Sequence, residues 1–400
     1  MKWSGLIRPP QLQHTDTDSG DERTATWLEL FFDLAFVLVV AELAAGLRDD
    51  RTLHGVLVFA GLFSSVWWAW AGFTFYANRF DTDDVVYRLA KLGAMLAVAG
   101  LAASATEATG TLAGQFALCQ AAIRMVLVAL YLRAYRHVVQ ARGLIVVYLT
   151  AGAIAAGLWL AGAMASGPAR YAAWVVAVAT EVTAPVVATR RSAGLPLHLE
   201  HLPERLGLLV ILVLGESIAA VAVGVQETHW ERVTVTVAVL GFVAAVSLWW
   251  TYFDLAGAAT TRTLVERAGH RSTLLHDFYA YGHWPLTLGL AAAGVGLEGA
   301  ILEGGQPTLT SGTRWLLCGG VALSLGAVTA IQSGVAGSLR SGLPWPGIGV
   351  PLVLAAGLGG GLSPAAVLAA VTVVLVGEAV AGLAKQRRGT LTTGAPEDST

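Results

Sequence analysis

Twelve apolar runs of about 20 residues constrain this chain more than any motif in it, because that is the helix length needed to cross a bilayer core of about 30 Å. They lie at 26–46, 54–76, 87–106, 113–134, 144–165, 170–190, 205–224, 233–256, 274–298, 313–335, 345–362 and 364–385. Of 400 residues, 55% are hydrophobic and 13% charged, and the mean hydropathy is +0.64. Within lipid a segment must satisfy its own backbone polar groups, so the expected fold class is all-α: an integral membrane protein of about 12 transmembrane helices. The run at 274–298 is the least regular, holding Asp277, His283 and Pro285, together with the short run at 345–362.

The first run, Thr26 to Gly46, is apolar enough to span a membrane yet holds Glu29, Asp33 and Glu42. A charge near the centre of a membrane helix costs about 2.5–3.5 kcal/mol on the most lenient scales, so each acid requires a partner, a cavity or a role. Glu29 and Asp33 share a face at i, i+4, and Glu42 turns to about the opposite side.

Lys and Arg accumulate in cytoplasmic loops, and they fall unevenly here. Nineteen lie on the amino-terminal side of the membrane, five (Arg48, Arg51, Arg170, Arg232, Arg314) on the other, and Arg124 within a helix. Both termini are therefore expected in the cytoplasm. Residues 1–25 and 386–400 read as polar cytoplasmic tails, and no cleavable signal peptide is expected. The segment 30–43 aligns with 204–217, pairing Glu42 with Glu216. Trp67-Trp68 follows in register with Trp249-Trp250, and Glu181 ahead of Arg190-Arg191 with Glu378 ahead of Arg387-Arg388. The expectation is a duplication: two parallel six-helix repeats, 26–191 and 192–385.

Depth singles out candidate residues. Glu181 and Glu378 each lie nine residues before an arginine pair, Arg124 nine before Arg133, and Glu216 eleven past Arg205, placing all four near mid-membrane. One reading has Arg124 neutralising these acids and tying helices together. The other has them line a central cavity where a glutamate loads and releases a proton. Glu29, Asp33, Glu42, Glu204, Arg205 and Asp254 complete the substrate- or proton-binding candidates, and Trp67, Trp68, Trp249 and Trp250 are candidate cavity walls or core. Trp27, Trp230 and Trp345 suit the interfacial belt. No catalytic residue, metal site or cofactor is expected: His198, His201 and Glu204 lack a second ligand cluster, and Cys119 and Cys318 lie in apolar runs. The net charge of −2 offers no nucleic-acid footprint.

The opening Trp27-Leu28-Glu29-Leu30-Phe31-Phe32-Asp33, the Trp-Trp pairs, His201-Leu202-Pro203-Glu204-Arg205 running into Gly215-Glu216, and the stretch 281–298 together resemble the bacterial low temperature requirement A (LtrA) family. The resemblance runs from about Thr26 to about Arg388, and it implies a polytopic inner-membrane protein with Glu29, Phe31, Phe32, Asp33, Glu204, Arg205, Gly215 and Glu216 as marked positions. It assigns no reaction. Lipid, an unknown small solute and protons are the expected partners, and a secondary transporter is the expected function. The alternatives are a structural or regulatory protein of the membrane in the cold and, third, a membrane-embedded enzyme. The second-to-third loop lacks the signature of the major facilitator superfamily.

Overall fold

The computed structural model describes residues 7–12, 26–191, 201–253, 272–336 and 346–393. These form twelve α-helices: α1 Trp27–Asp49, α2 Leu53–Arg79, α3 Val85–Ala105, α4 Ala113–His137, α5 Arg142–Met164, α6 Pro168–Arg191, α7 His201–Glu227, α8 Arg232–Trp250, α9 Ser272–Leu302, α10 Ser311–Ala336, α11 Pro346–Leu358 and α12 Pro364–Thr393. Eleven helices among the described residues are long and apolar enough to cross a membrane. The expected spanning run at 345–362 is the correction, because α11 has 13 residues and reaches only about 20 Å. Pro346 opens it, Pro351 interrupts its hydrogen bonding, and Gly361 at φ +85° turns the chain into α12.

Local chemistry sets the helix starts. Thr26 and Glu29 make a capping box: the Glu29 N–H donates to Thr26 Oγ1 at 3.3 Å and the Thr26 N–H to Glu29 Oε2 at 2.9 Å. Thr52 caps α2 and Asp84 caps α3. Among the described residues the departure from all-helical structure is a short strand pair, in which Gln11–Leu12 of the amino-terminal tail lies antiparallel to Phe80–Asp81.

Asp84 fastens this segment. Its carboxylate accepts from the Arg8 and Tyr87 N–H groups at 3.1 and 3.0 Å, and from both terminal nitrogens of Arg133 at 2.9 and 2.6 Å. Burial pushes this carboxyl up, but the bonds from Arg133, Tyr87 and Arg8 outweigh it and hold it below the ordinary range. A depressed folded-state value means that the stabilisation is present above the unfolded value and is lost as pH falls through the folded one. Asp84→Ala should cost at least ~1 kcal/mol through the cap alone. It should also raise hydrogen exchange at Leu12 and Phe80, read against wild type at neutral pH.

The chain divides into two compact units, residues 1–209 with 269–277, and 210–268 with 278–400. In the first, α1 packs on α2 and α3, α3 on α4, α4 on α5 and α5 on α6. Its core is aromatic: Phe32 lies against Phe36 and Phe73, and Tyr131 against Tyr76, Phe80 and Tyr148. The second unit packs α8 on α12, α10 on α11 and α11 on α12 around an aliphatic core that includes Val237, Leu297, Ile301, Leu325, Val371 and Leu375. Burial is inverted relative to a water-soluble protein. Leu96, Met164 and Val373 are more than 70% exposed while Asp33, Lys91, Gln120 and His283 are wholly buried, which is what an apolar solvent demands of the outer surface.

Candidate functional site

Three polar centres lie inside these helices, and they differ in how completely their hydrogen bonds are made. In the first unit Arg124 on α4 meets Glu181 on α6 through a two-point fork, Nε to Oε1 at 2.7 Å and Nη2 to Oε2 at 2.8 Å. Its Nη1 donates to the Gln120 side chain and its Nη2 also to the Ser65 carbonyl at 2.9 Å. Gln120 in turn donates to Ser65 Oγ at 2.7 Å, and the Trp159 ring covers the guanidinium at 5.5 Å. Helices α2, α4, α5 and α6 thus meet at a charge pair whose donors are used.

The second centre, in the same unit, is less complete. Asp33 Oδ1 accepts from Trp70 Nε1 at 2.8 Å and from Arg205 Nη2 at 2.6 Å, joining α1 to α2 and to the first turns of α7. Asp33 and Arg205 are 0% and 1% exposed, yet Asp33 Oδ2 and Arg205 Nε and Nη1 have no hydrogen-bond partner. Leaving a buried polar group unsatisfied costs about 1–3 kcal/mol each, so a fold retains such atoms against a stability gradient. Lys91 and Glu29 also act electrostatically on Asp33, and the Lys91 ammonium lies over the Phe32 ring at 4.6 Å. On α2, one and two turns beyond Trp70, the buried Thr74 Oγ1 and Asn78 Oδ1 likewise have no partner.

The third centre is in the second unit. Glu378 on α12 is 6% exposed, and neither carboxylate oxygen accepts a hydrogen bond of regular geometry. It faces the backbone of Gly349 in the first turn of α11, where a side chain on Gly349 would collide with Oε1. Between Arg232 and Trp250 of α8, and throughout α11, there is no charged residue. Among the described residues, no ion pair or hydrogen bond to a cation reaches Glu378, and the one charged residue of α8 and α11 is Arg232 at the start of α8. In the same unit a π-helical turn over 251–253 carries Tyr252, whose hydroxyl lies 2.7 Å from His283 Nε2. His283 Nδ1 is 2.7 Å from the Tyr279 carbonyl and must donate to it, which leaves Nε2 to accept from Tyr252.

The expected residues sort as follows. Glu29 and Asp33 are both buried on the shared face of α1, and Glu42 is half-buried. Glu181 meets Arg124, whereas Glu216, half-buried on α7, and Glu378 belong to the second unit. Glu204 is half-buried next to the wholly buried Arg205. Trp67 and Trp68 are core residues in edge-to-face contact, while Trp249 and Trp250 are 40% and 36% exposed. Asp254, His198 and Trp345 lie outside the described residues. The site candidates drawn from the sequence do not include Trp70, Lys91, Tyr252 or His283. The available signal for Lys91 is its position seven residues into α3, inside an apolar run. Among the described residues no three His, Cys, Asp or Glu side chains converge as a metal site would require.

A family model for the bacterial low temperature requirement A protein (LtrA) matches residues 24–380. An uncharacterized protein of Rhizobium meliloti (strain 1021) is 28% identical over 323 residues, which cover 75% of this chain and 78% of that protein. No solved structure matches. Matched to the family model over most of its length, the chain belongs to the bacterial low temperature requirement A family.

Proposed function

We propose that the protein is a proton-coupled secondary transporter of a small solute in the bacterial inner membrane, with Glu378 as the residue that carries the proton. Glu378 is the observation that supports this reading most. Among the described residues its buried carboxylate makes no ion pair, so taking up a proton removes a charge that hydrocarbon surroundings penalise, and releasing it requires water or a cation to reach the site. A residue in that position is poised to respond to which side of the membrane the site faces. The break before α12 adds to this: α11 is too short to span, and its first turn faces Glu378, an arrangement used in transporters with discontinuous helices. The aligned acids Glu181 with Glu378 and Glu42 with Glu216 favour a six-plus-six parallel repeat beneath it.

A structural reading is favoured by one observation, the completeness of the Arg124–Glu181 network, and we assign that centre to stability. The two readings then concern different residues. Proteoliposomes containing wild-type protein and a lumenal pH dye should equilibrate an imposed pH gradient several-fold faster than empty vesicles at zero membrane potential. Equal rates across a survey of added solutes would remove the transport reading.

A further inference from the structure

We propose that the atoms left without partners at the Asp33–Arg205 pair form the binding site of a small zwitterion, with a carboxylate held by Arg205 and an ammonium held by Asp33. The inference rests on the transport reading for its purpose, and on the geometry of the pair for its chemistry. Arg205 Nε and Nη1 can only donate, so whatever completes them is an acceptor, and a guanidinium edge fits a carboxylate. Asp33 Oδ2 can only accept while ionised, so what completes it is a donor. The same ligand must therefore offer both ends within the reach of one ion pair.

Charge narrows the class further. Arg205, Lys91 and Glu29 all act electrostatically on Asp33, so two cations and two anions balance in this cluster before anything binds. A simple anion or cation entering this buried place would leave one charge uncompensated, whereas a ligand of zero net charge keeps the balance. Thr74 and Asn78 continue the face of α2 that presents Trp70 to Asp33, since they follow it by four and eight residues, and both are buried with an oxygen unused. They extend the row of polar atoms and give the ligand's amine further acceptors. Trp70 and Phe32 supply apolar walls: Trp70 is bonded to Asp33, and Phe32 lies under Lys91. None of this applies to the Arg124–Glu181 fork, which contrasts with it because its donors are taken.

The test uses the purified full chain in detergent and equilibrium binding of the twenty standard amino acids, each radiolabelled, with labelled acetate and methylammonium as probes of one charge each. At least one amino acid of zero net charge should bind saturably at one per chain, and neither acetate nor methylammonium should displace it at tenfold excess. Arg205→Lys should weaken that binding at least tenfold by losing the fork. Thr74→Val and Asn78→Ala, which leave the ion pair in place, should weaken it about threefold or more and keep the elution profile of the folded protein. If no amino acid binds to protein that still equilibrates protons in vesicles, water fills these atoms and the proposal falls while the transport reading stands. Binding that survives in all three variants also overturns it. Saturable binding lost in the variants, in a protein without any flux, keeps the site and removes the transporter.

Discussion

Arg124→Leu should lower the stability of the protein by about 3–5 kcal/mol, because it strands the Glu181 carboxylate and the Gln120 side chain inside the helix bundle. Arg124 holds three helices through side-chain and backbone bonds and is covered by Trp159, so its loss removes the link between α2, α4 and α6 together. Neutralising the other partner should restore much of the loss: the double variant Arg124→Leu, Glu181→Gln removes both charges and keeps an amide near Gln120. Reversible unfolding of single and double variants in mixed micelles gives the coupling directly. Additive losses, with no rescue in the double variant, would mean that the fork is not the source of the stability.

Gly320→Ala should also be damaging, for a steric reason. A Cβ built on Gly320 in α10 would lie 2.5 Å from the Ala293 nitrogen and 2.6 Å from the Gly289 carbonyl oxygen of α9. Both are backbone atoms, so relief requires moving a helix. The reverse approach is equally tight, as a Cβ on Gly289 would lie 2.7 Å from the Gly320 carbonyl oxygen. Where lipid tails are as apolar as the side chains, close packing of small residues is what holds helices together, and this seam depends on it. The substitution should cost about 1–3 kcal/mol through overpacking, seen as earlier thermal aggregation of the purified variant. Gly319→Ala, one residue away with open space around the added Cβ, should be near wild type.

Much of the fold was legible because lipid imposes a simple rule. Runs of about 20 apolar residues had to be helices, and the capping residues Thr26, Thr52 and Asp84 stand at their starts. The run at 345–362 misled for the opposite reason, since hydropathy counts apolar residues and is blind to Pro346, Pro351 and the glycines that shorten the helix. The acids of α1 were legible as functional candidates because charge in such a run demands a partner. Their partners were not, as Trp70 and Arg205 lie 37 and 172 residues from Asp33 in the chain. A mid-depth rule brought Arg124 and Glu181 together correctly, through position along their helices. It gave no warning that this pair would be saturated with bonds while the shallower Asp33–Arg205 pair would not, a difference set by which side chains happen to converge.

The central claim is that Glu378 carries a proton for transport and does not merely sit in the fold. The most direct measurement is proton flux in vesicles reconstituted side by side with wild type and Glu378→Gln, with thermal unfolding recorded on the same preparations. The amide keeps the size of the side chain and removes its titration. The account predicts that pH-gradient-driven flux falls to the level of empty vesicles while the unfolding temperature is unchanged or raised, since the amide oxygen keeps the contact with the Gly349 backbone and a buried charge is removed. A variant that folds as well as wild type and carries protons at the wild-type rate would contradict it.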